Sequence, residues 1–195
     1  MSVTITIPAE RLAGWHRRWV ERITPGLLAK AAAGVLQALV MRHLQKVARE
    51  RHATANRLGA TPTGFWSGSA QAVRLHAHAN DAEVSVTHPG IARALRDVII
   101  RPRRAKALTI PLRAEAYGKR PREFANLSGA ALFRPKGTRI LATEEGGKLT
   151  PMYALCASVT QKRDPTLLPD PKTIDDALAR AALNALDAAA SQAAR

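Results

Sequence analysis

A chain of 195 residues and 21.0 kDa has room for one ordinary domain with a tail or insertion, and 46% hydrophobic with 23% charged residues excludes wholesale disorder, collagen-like repeats and multi-span membrane classes. Thirty Lys and Arg against fifteen Asp and Glu leave a net charge of +15, so the partner, or an interior surface of an assembly, is expected to be polyanionic. Aromatic residues at 4% weaken any function built on base stacking.

The single cysteine, Cys156, cannot form an intramolecular disulfide or a multi-thiolate metal site, which points to maturation in a reducing compartment. Residues 1–7 lack the basic and apolar regions of a signal peptide, and no uninterrupted apolar run reaches the ~20 residues that span a bilayer. Val3, Ile5 and Ile7 alternate with threonines, predicting a short strand ended by Pro8. Leu12, Trp15, Trp19 and Ile23 then form one apolar stripe of a helix over 9–23 that ends before Pro25.

From Pro25 to about Arg51 the spacing predicts a second, longer helix. Its rows Leu28, Ala32, Val35, Leu39 and Leu36, Val40, Leu44, Val47 make an apolar face wider than one sheet-covering helix needs. Leu36, Val40 and Leu44 are therefore candidates for core or subunit contact. Between Arg51 and Ser69 the pattern breaks at Asn56, Gly59, Pro62, Gly64 and Gly68, which reads as a long ordered loop. Phe65 and Trp66 within it are either an exposed docking anchor or a plug pinning the loop to the core, and the plug is favoured.

Val73, Leu75, Ala77 and Ala79 alternate with polar residues, as do Val84 and Val86, predicting a hairpin turned at Asn80-Asp81 and closed by His88-Pro89-Gly90. A helical turn over 91–96, an extended 97–101 and a strand over 107–111 follow, then a poor helix over 114–126 interrupted by Gly118 and Pro121. Residues 131–133 and 138–143 are expected to pair with 149–159 across a Glu144-Glu145-Gly146-Gly147 turn, and Met152 to Ala157 reads as a strand covered on both faces. Pro165, Pro169 and Pro171 mark a boundary before a last helix, with Thr173 and Asp176 as its capping pair.

No catalytic frame is complete. Gly64-Phe65-Trp66-Ser67-Gly68 has one residue too many for a nucleophile elbow, and the glycines near Lys136 and Lys148 lack the spacing of a phosphate-binding loop. His76 and His78 share a strand face with Glu83 opposite and His88 nearby, but solvated strand-face residues are the commoner meaning of that pattern. Glu144 and Glu145, at a turn, fit solubility better than an acid and base pair. No catalytic, cofactor or metal residue is assigned, and an enzyme is not expected.

The feature with most physical content is the stretch 101–122, with eight cations against Glu115 alone. Arg101, Arg103, Arg104 and Lys106, stiffened by Pro102, create a field suited to phosphates or to an acidic protein face. No zinc-finger spacing, helix-turn-helix or RNA-recognition aromatic set accompanies them, so a sequence reader is not expected.

Four strings carry a resemblance: Arg57 to Trp66, His88-Pro89-Gly90-Ile91-Ala92, Leu108-Thr109-Ile110-Pro111-Leu112-Arg113-Ala114-Glu115-Ala116-Tyr117-Gly118, and Ser158-Val159-Thr160-Gln161-Lys162 before a Pro-rich linker. In this order they resemble the virion morphogenesis and tail-completion proteins of Mu-like and other long-tailed bacteriophages, over roughly Leu36 to Leu186. The resemblance implies a structural subunit of the neck or upper tail, without cofactor. It would assemble in the host cytoplasm as a homo-oligomeric ring in the virion, between the portal-side connector and the tail-tube or tail-terminator proteins, with no membrane partner. Together these readings give an α+β class, an antiparallel sheet flanked by the long central helix and a C-terminal helix. The expected divisions are an N-terminal strand and helix over 1–24, a core over 25–163, and a linker with a helix over 164–195. The rival reading is a phage- or prophage-encoded basic nucleic-acid-binding module that grips phosphates through 101–122.

Overall fold

The computed structural model describes residues 25–78, 81–88 and 90–193, so the strand and helix expected before Pro25 lie outside the described residues. The elements are α1 (Pro25–Glu50), α2 (Ala53–Leu58), α3 (Phe65–Gln71), β1 (Val73–Ala77), β2 (Ala82–Val86), α4 (Ile91–Ala94), β3 (Val98–Ile100), β4 (Leu108–Pro111), a 3₁₀ turn (Ala114–Ala116), α5 (Pro121–Ser128), β5 (Ile140–Glu145), β6 (Lys148–Cys156), β7 (Val159–Gln161) and α6 (Pro171–Ala193). This is the α+β class expected, with a long helix, a C-terminal helix and antiparallel strands throughout. The strands are distributed over three small sheets, β1-β2, β3-β7 and β4-β6-β5.

Contacts group these elements into two units. One takes the described residues up to Leu44, with Ser69–Thr87 and the chain from Leu168; the other takes Gln45–Gly68 and His88–Leu167. In the first, Ala33, Val40 and Leu44 of α1 are buried with Val73 of the hairpin and Ala181 and Ala189 of α6. Of the two rows on α1, the one through Leu36 is the better covered. Val40, Leu44 and Val47 are buried and Leu36 half-buried, whereas Leu28, Ala32 and Leu39 are half-buried and Val35 is exposed. The stretch from Leu27 to Leu58 is long and apolar enough to cross a bilayer by length and composition only; it carries the buried Val40, Leu44 and Val47 together with the cations Lys30, Arg42, Lys46 and Arg49.

The hairpin β1–β2 follows directly from its alternation. Val73 faces Val86, Leu75 faces Val84 and Ala77 faces Ala82, while Arg74 opposes Ser85 and His76 opposes Glu83. At the C-terminal helix the capping residue differs from expectation. The Asp170 carboxylate accepts the Thr173 N–H at 3.2 Å, so Asp170 caps α6 and Thr173 is the donor, with Pro171 at the first helical position.

In the second unit the expected long loop over 51–69 is corrected to two short helices. Gly59 ends α2 at φ 66°, with its N–H on Asn56 O (3.2 Å) and that of Ala60 on Ala55 O (2.8 Å), the paired bonds of a Schellman ending. Gly64 lies at the start of α3, where its carbonyl accepts the Gly68 N–H (2.8 Å) and the Ser67 hydroxyl (3.0 Å). The glycines punctuate helices where a loop was expected.

The three-stranded sheet centres on β6. Gly146 and Gly147, both at positive φ, make a two-residue turn between β5 and β6, so the strand runs through Glu144 and Glu145. A register shift at Leu141/Ala142 leaves Met152 as an extra residue on β6, next to Pro151. This bulge explains why Met152 and Tyr153 are both buried although neighbours on a strand point to opposite faces. They pack with Ala116 and Phe124, the Phe124 and Tyr153 rings lying edge to face at 6.1 Å. The Tyr153 hydroxyl donates to Lys119 O at 3.2 Å and lies 3.4 Å from Ala116 O. Burial, and then the Glu123 carboxylate, raise its pKa above the ordinary value, so it stays a donor.

Candidate interaction surface

The segment 101–107 is held at both ends by pairing. Before it, β3 pairs antiparallel with β7, and after it, β4 pairs antiparallel with β6. Between these anchors no regular structure forms. Arg101, Arg103, Arg104 and Lys106 are all exposed, and none has an ion-pair or hydrogen-bond partner among the described residues.

Two grooves flank the segment. The first, about 700 Å³, is lined by Arg93, Val98, Ile99, Ile100, Arg101, Pro102 and Arg103. The second, about 940 Å³, has an aliphatic floor that includes Ile100, Leu108, Ile110 and Val159, and a rim of Arg103, Arg104, Arg120 and Arg122. Arg103 thus lines both, Arg101 the first, Arg104 the second, and Lys106 neither. No carboxylate lines either groove. Glu123, the acidic residue nearest the rim in sequence, faces the start of α5, where it accepts the Arg120 N–H at 3.4 Å.

Arg93 lies outside the cationic stretch legible in sequence, whereas Arg120 and Arg122 form its far end. The short string Arg120-Pro121-Arg122 is their signal, because Pro121 begins α5 and fixes both flanking arginines at one helix start.

Phe65 and Trp66 lie apart from these grooves. Both are half-buried; the Phe65 ring stands edge to face on Trp66 at 4.7 Å and on His88 at 4.9 Å. Gly90, at φ 91°, brings its backbone under the same ring, where a Cβ would lie 3.3 Å from Phe65 Cε2. The Phe65 ring thus rests on the turn formed by His88 and Gly90.

Among the described residues no three His, Cys, Asp or Glu side chains are disposed to hold an ion. His76 and Glu83 are cross-strand partners on exposed positions, which leaves them as a solvated pair. Compared with family models, characterised proteins and solved structures, the chain shows no significant match.

Proposed function

We propose that the chain is a structural ring subunit of the head–tail junction or upper tail of a long-tailed bacteriophage, joining the portal-side connector to the tail tube, and that it performs no chemistry and holds no cofactor. The observation that carries this reading is that the four strings resembling the tail-completion family, spread from Arg57 to Lys162, all fall in one unit. They also touch. Phe65 of the first string packs on His88 and Gly90 of the second, and the Thr63 methyl lies where a Cβ on Gly118 of the third would meet it at 2.9 Å.

Leu127, Leu183, Ile99 and Leu149 are at least half exposed and are positions at which contacts with other subunits would form. The test is the light-scattering mass of the purified protein, alone and with portal-side and tail-tube proteins, together with its presence in assembled virions. A closed ring or a defined complex is expected; a chain that stays monomeric with both partners and is absent from virions overturns the reading.

The unpartnered cations of 101–106 favour one second reading, a module for nonspecific binding of nucleic acid. It requires log K to fall by about 0.9 per phosphate contact per log unit of salt, equally for unrelated duplexes. Replacing Arg101, Arg103 and Arg104 by Ala then separates the two. Lost assembly with weak, unchanged duplex binding supports the neck subunit, and lost duplex binding with intact virions supports the module.

A further inference from the structure

We propose that the second groove is a docking site for an acidic, aliphatic, extended segment of a partner protein, which adds as a strand to the open edge of β4. In the sheet order β4-β6-β5, β4 is an edge strand. The opposite edge, on β5, is partly covered by a bridge between Phe133 and Ala142, with both backbone bonds made (3.0 and 2.9 Å). No described segment covers β4 in this way. Leu112 N–H donates to Met152 O at 2.9 Å, so by alternation Ile110 and Leu108 turn their backbone groups to β6, while Thr109 presents its N–H and C=O outward. Pro111, which has no N–H to offer, shares the outward phase.

The groove follows this edge. Its lining includes Leu108, Thr109 and Ile110 of β4 in succession, so residues of both alternating phases of the strand reach it, as expected of a groove along the strand's rim. A strand laid there would gain backbone bonds from the edge and aliphatic contact from Ile100, Ile110 and Val159. Specificity comes from the rim. Arg103, Arg104, Arg120 and Arg122 with no carboxylate among the lining residues select an acidic occupant.

Charge and floor together decide the class of partner. A second copy of this chain is the less favoured occupant, because its net charge of +15 opposes approach to a cationic rim. Single-stranded nucleic acid needs aromatic platforms, which the lining lacks, and duplex phosphates gain nothing from an aliphatic floor. An extended peptide alternating Asp or Glu with Val or Ile satisfies edge, floor and rim at once.

The inference rests on the preceding reading only in taking the partner to be another protein of an assembly, and its test is separate. The full chain is titrated with a fluorescein-labelled eight-residue peptide alternating Asp and Val, with the same peptide carrying Lys for Asp, and with a duplex DNA as competitor. The acidic peptide is expected to bind with a Kd below about 1 mM and the Lys peptide not to bind. Arg103→Glu combined with Arg122→Glu should weaken binding about tenfold or more, and the Thr109 amide of the unaltered chain should gain hydrogen-exchange protection when peptide is added. Absence of acidic-peptide binding, or binding with Thr109 unprotected and the Glu variant unaffected, overturns the inference. So does displacement by duplex DNA at equal or better affinity. A chain that forms rings yet fails this titration refutes the groove alone; a monomeric chain that passes it supports the groove and refutes the ring.

Discussion

Arg51 and Asp164, 113 residues apart in the chain, meet as an ion pair that fastens the end of α1 to the segment before α6. The Arg51 guanidinium also donates to Thr166 O (3.1 Å) and to its hydroxyl (2.5 Å), and that hydroxyl and the Thr166 N–H donate to Asp164 Oδ1 at 2.6 and 2.9 Å. The Thr166 hydroxyl is the main reason the Asp164 carboxyl sits below its ordinary pKa, with the Thr166 N–H and Arg51 adding to it and burial opposing.

A pH dependence with a definite sign follows. Because the folded pKa is the lower one, the stabilisation is complete above the ordinary carboxylate value of about 3.9 and is lost as pH falls through the folded value. Both side chains are about a third exposed, so a double-mutant cycle of Arg51→Met and Asp164→Asn should give a coupling of about 1 kcal/mol or less near neutrality, vanishing in acid. Urea denaturation of the four proteins at both pH values measures it; a coupling that persists below the folded pKa contradicts the assignment.

Tyr153 gives a larger effect. Tyr153→Phe loses a hydroxyl bond inside the sheet core and should cost about 1 kcal/mol, whereas Tyr153→Ala empties a fully buried site and should cost about 3–5 kcal/mol. Since its pKa is raised on folding, stability should also fall as pH rises past the ordinary tyrosine value of about 10, and this fall should be missing in Tyr153→Phe. Thermal or urea melts check both.

Gly118 and Gly129 separate backbone strain from collision. Both have positive φ, but a Cβ on Gly129 meets nothing within 4 Å whereas one on Gly118 meets the Thr63 methyl at 2.9 Å. Gly129→Ala should therefore cost the ~1–2 kcal/mol of a left-handed alanine, and Gly118→Ala more. Thr63→Ser, which removes the methyl, should bring the Gly118→Ala penalty down to that of Gly129→Ala. An unchanged penalty would place the strain elsewhere.

Leu44 and Leu36 differ by burial. Leu44→Asp puts an unpaired carboxylate at a fully buried position, comparable in cost to a domain's whole stability of ~5–15 kcal/mol, and should leave no soluble folded protein. Leu36, half-buried, should tolerate Asp with partial loss of stability and show its main effect in ring mass. Circular dichroism and light scattering on the two variants decide this.

The parts of the fold legible in sequence are those where one period runs long enough to register. Alternation in Val73–Val86 predicts the hairpin but not its register, since a two-residue turn at Asn80-Asp81 would pair Ala77 with Val84 where the structure pairs Ala77 with Ala82, and the apolar rows of α1 and α6 predict two long helices. The helices Ala53–Leu58 and Phe65–Gln71, six and seven residues long, are too short to show a period, and their bounding glycines looked like loop filler. The spacing points to Thr173 and Asp176 as the capping pair of α6, whereas the carboxylate that accepts from the first turn is that of Asp170, between Pro169 and Pro171. Of the interaction surface, the cations of 101–106 were plain. That Arg120 and Arg122 share a groove with Arg103 depends on β4 pairing with β6 and on Pro121 starting α5, which no linear spacing records.

The interleaving of the two units also sets an order for synthesis. The unit closed by Leu167 has all its pieces once the linker has emerged from the ribosome, whereas the core holding Val40 and Leu44 waits for Ala181 and Ala189 at the far end of the chain. Until then the apolar rows of α1 have, among the described residues of their unit, only the hairpin with Val73 to cluster with. A nascent chain of this design keeps part of an apolar helix open until its last helix emerges, so its soluble yield should fall where chaperones are limiting.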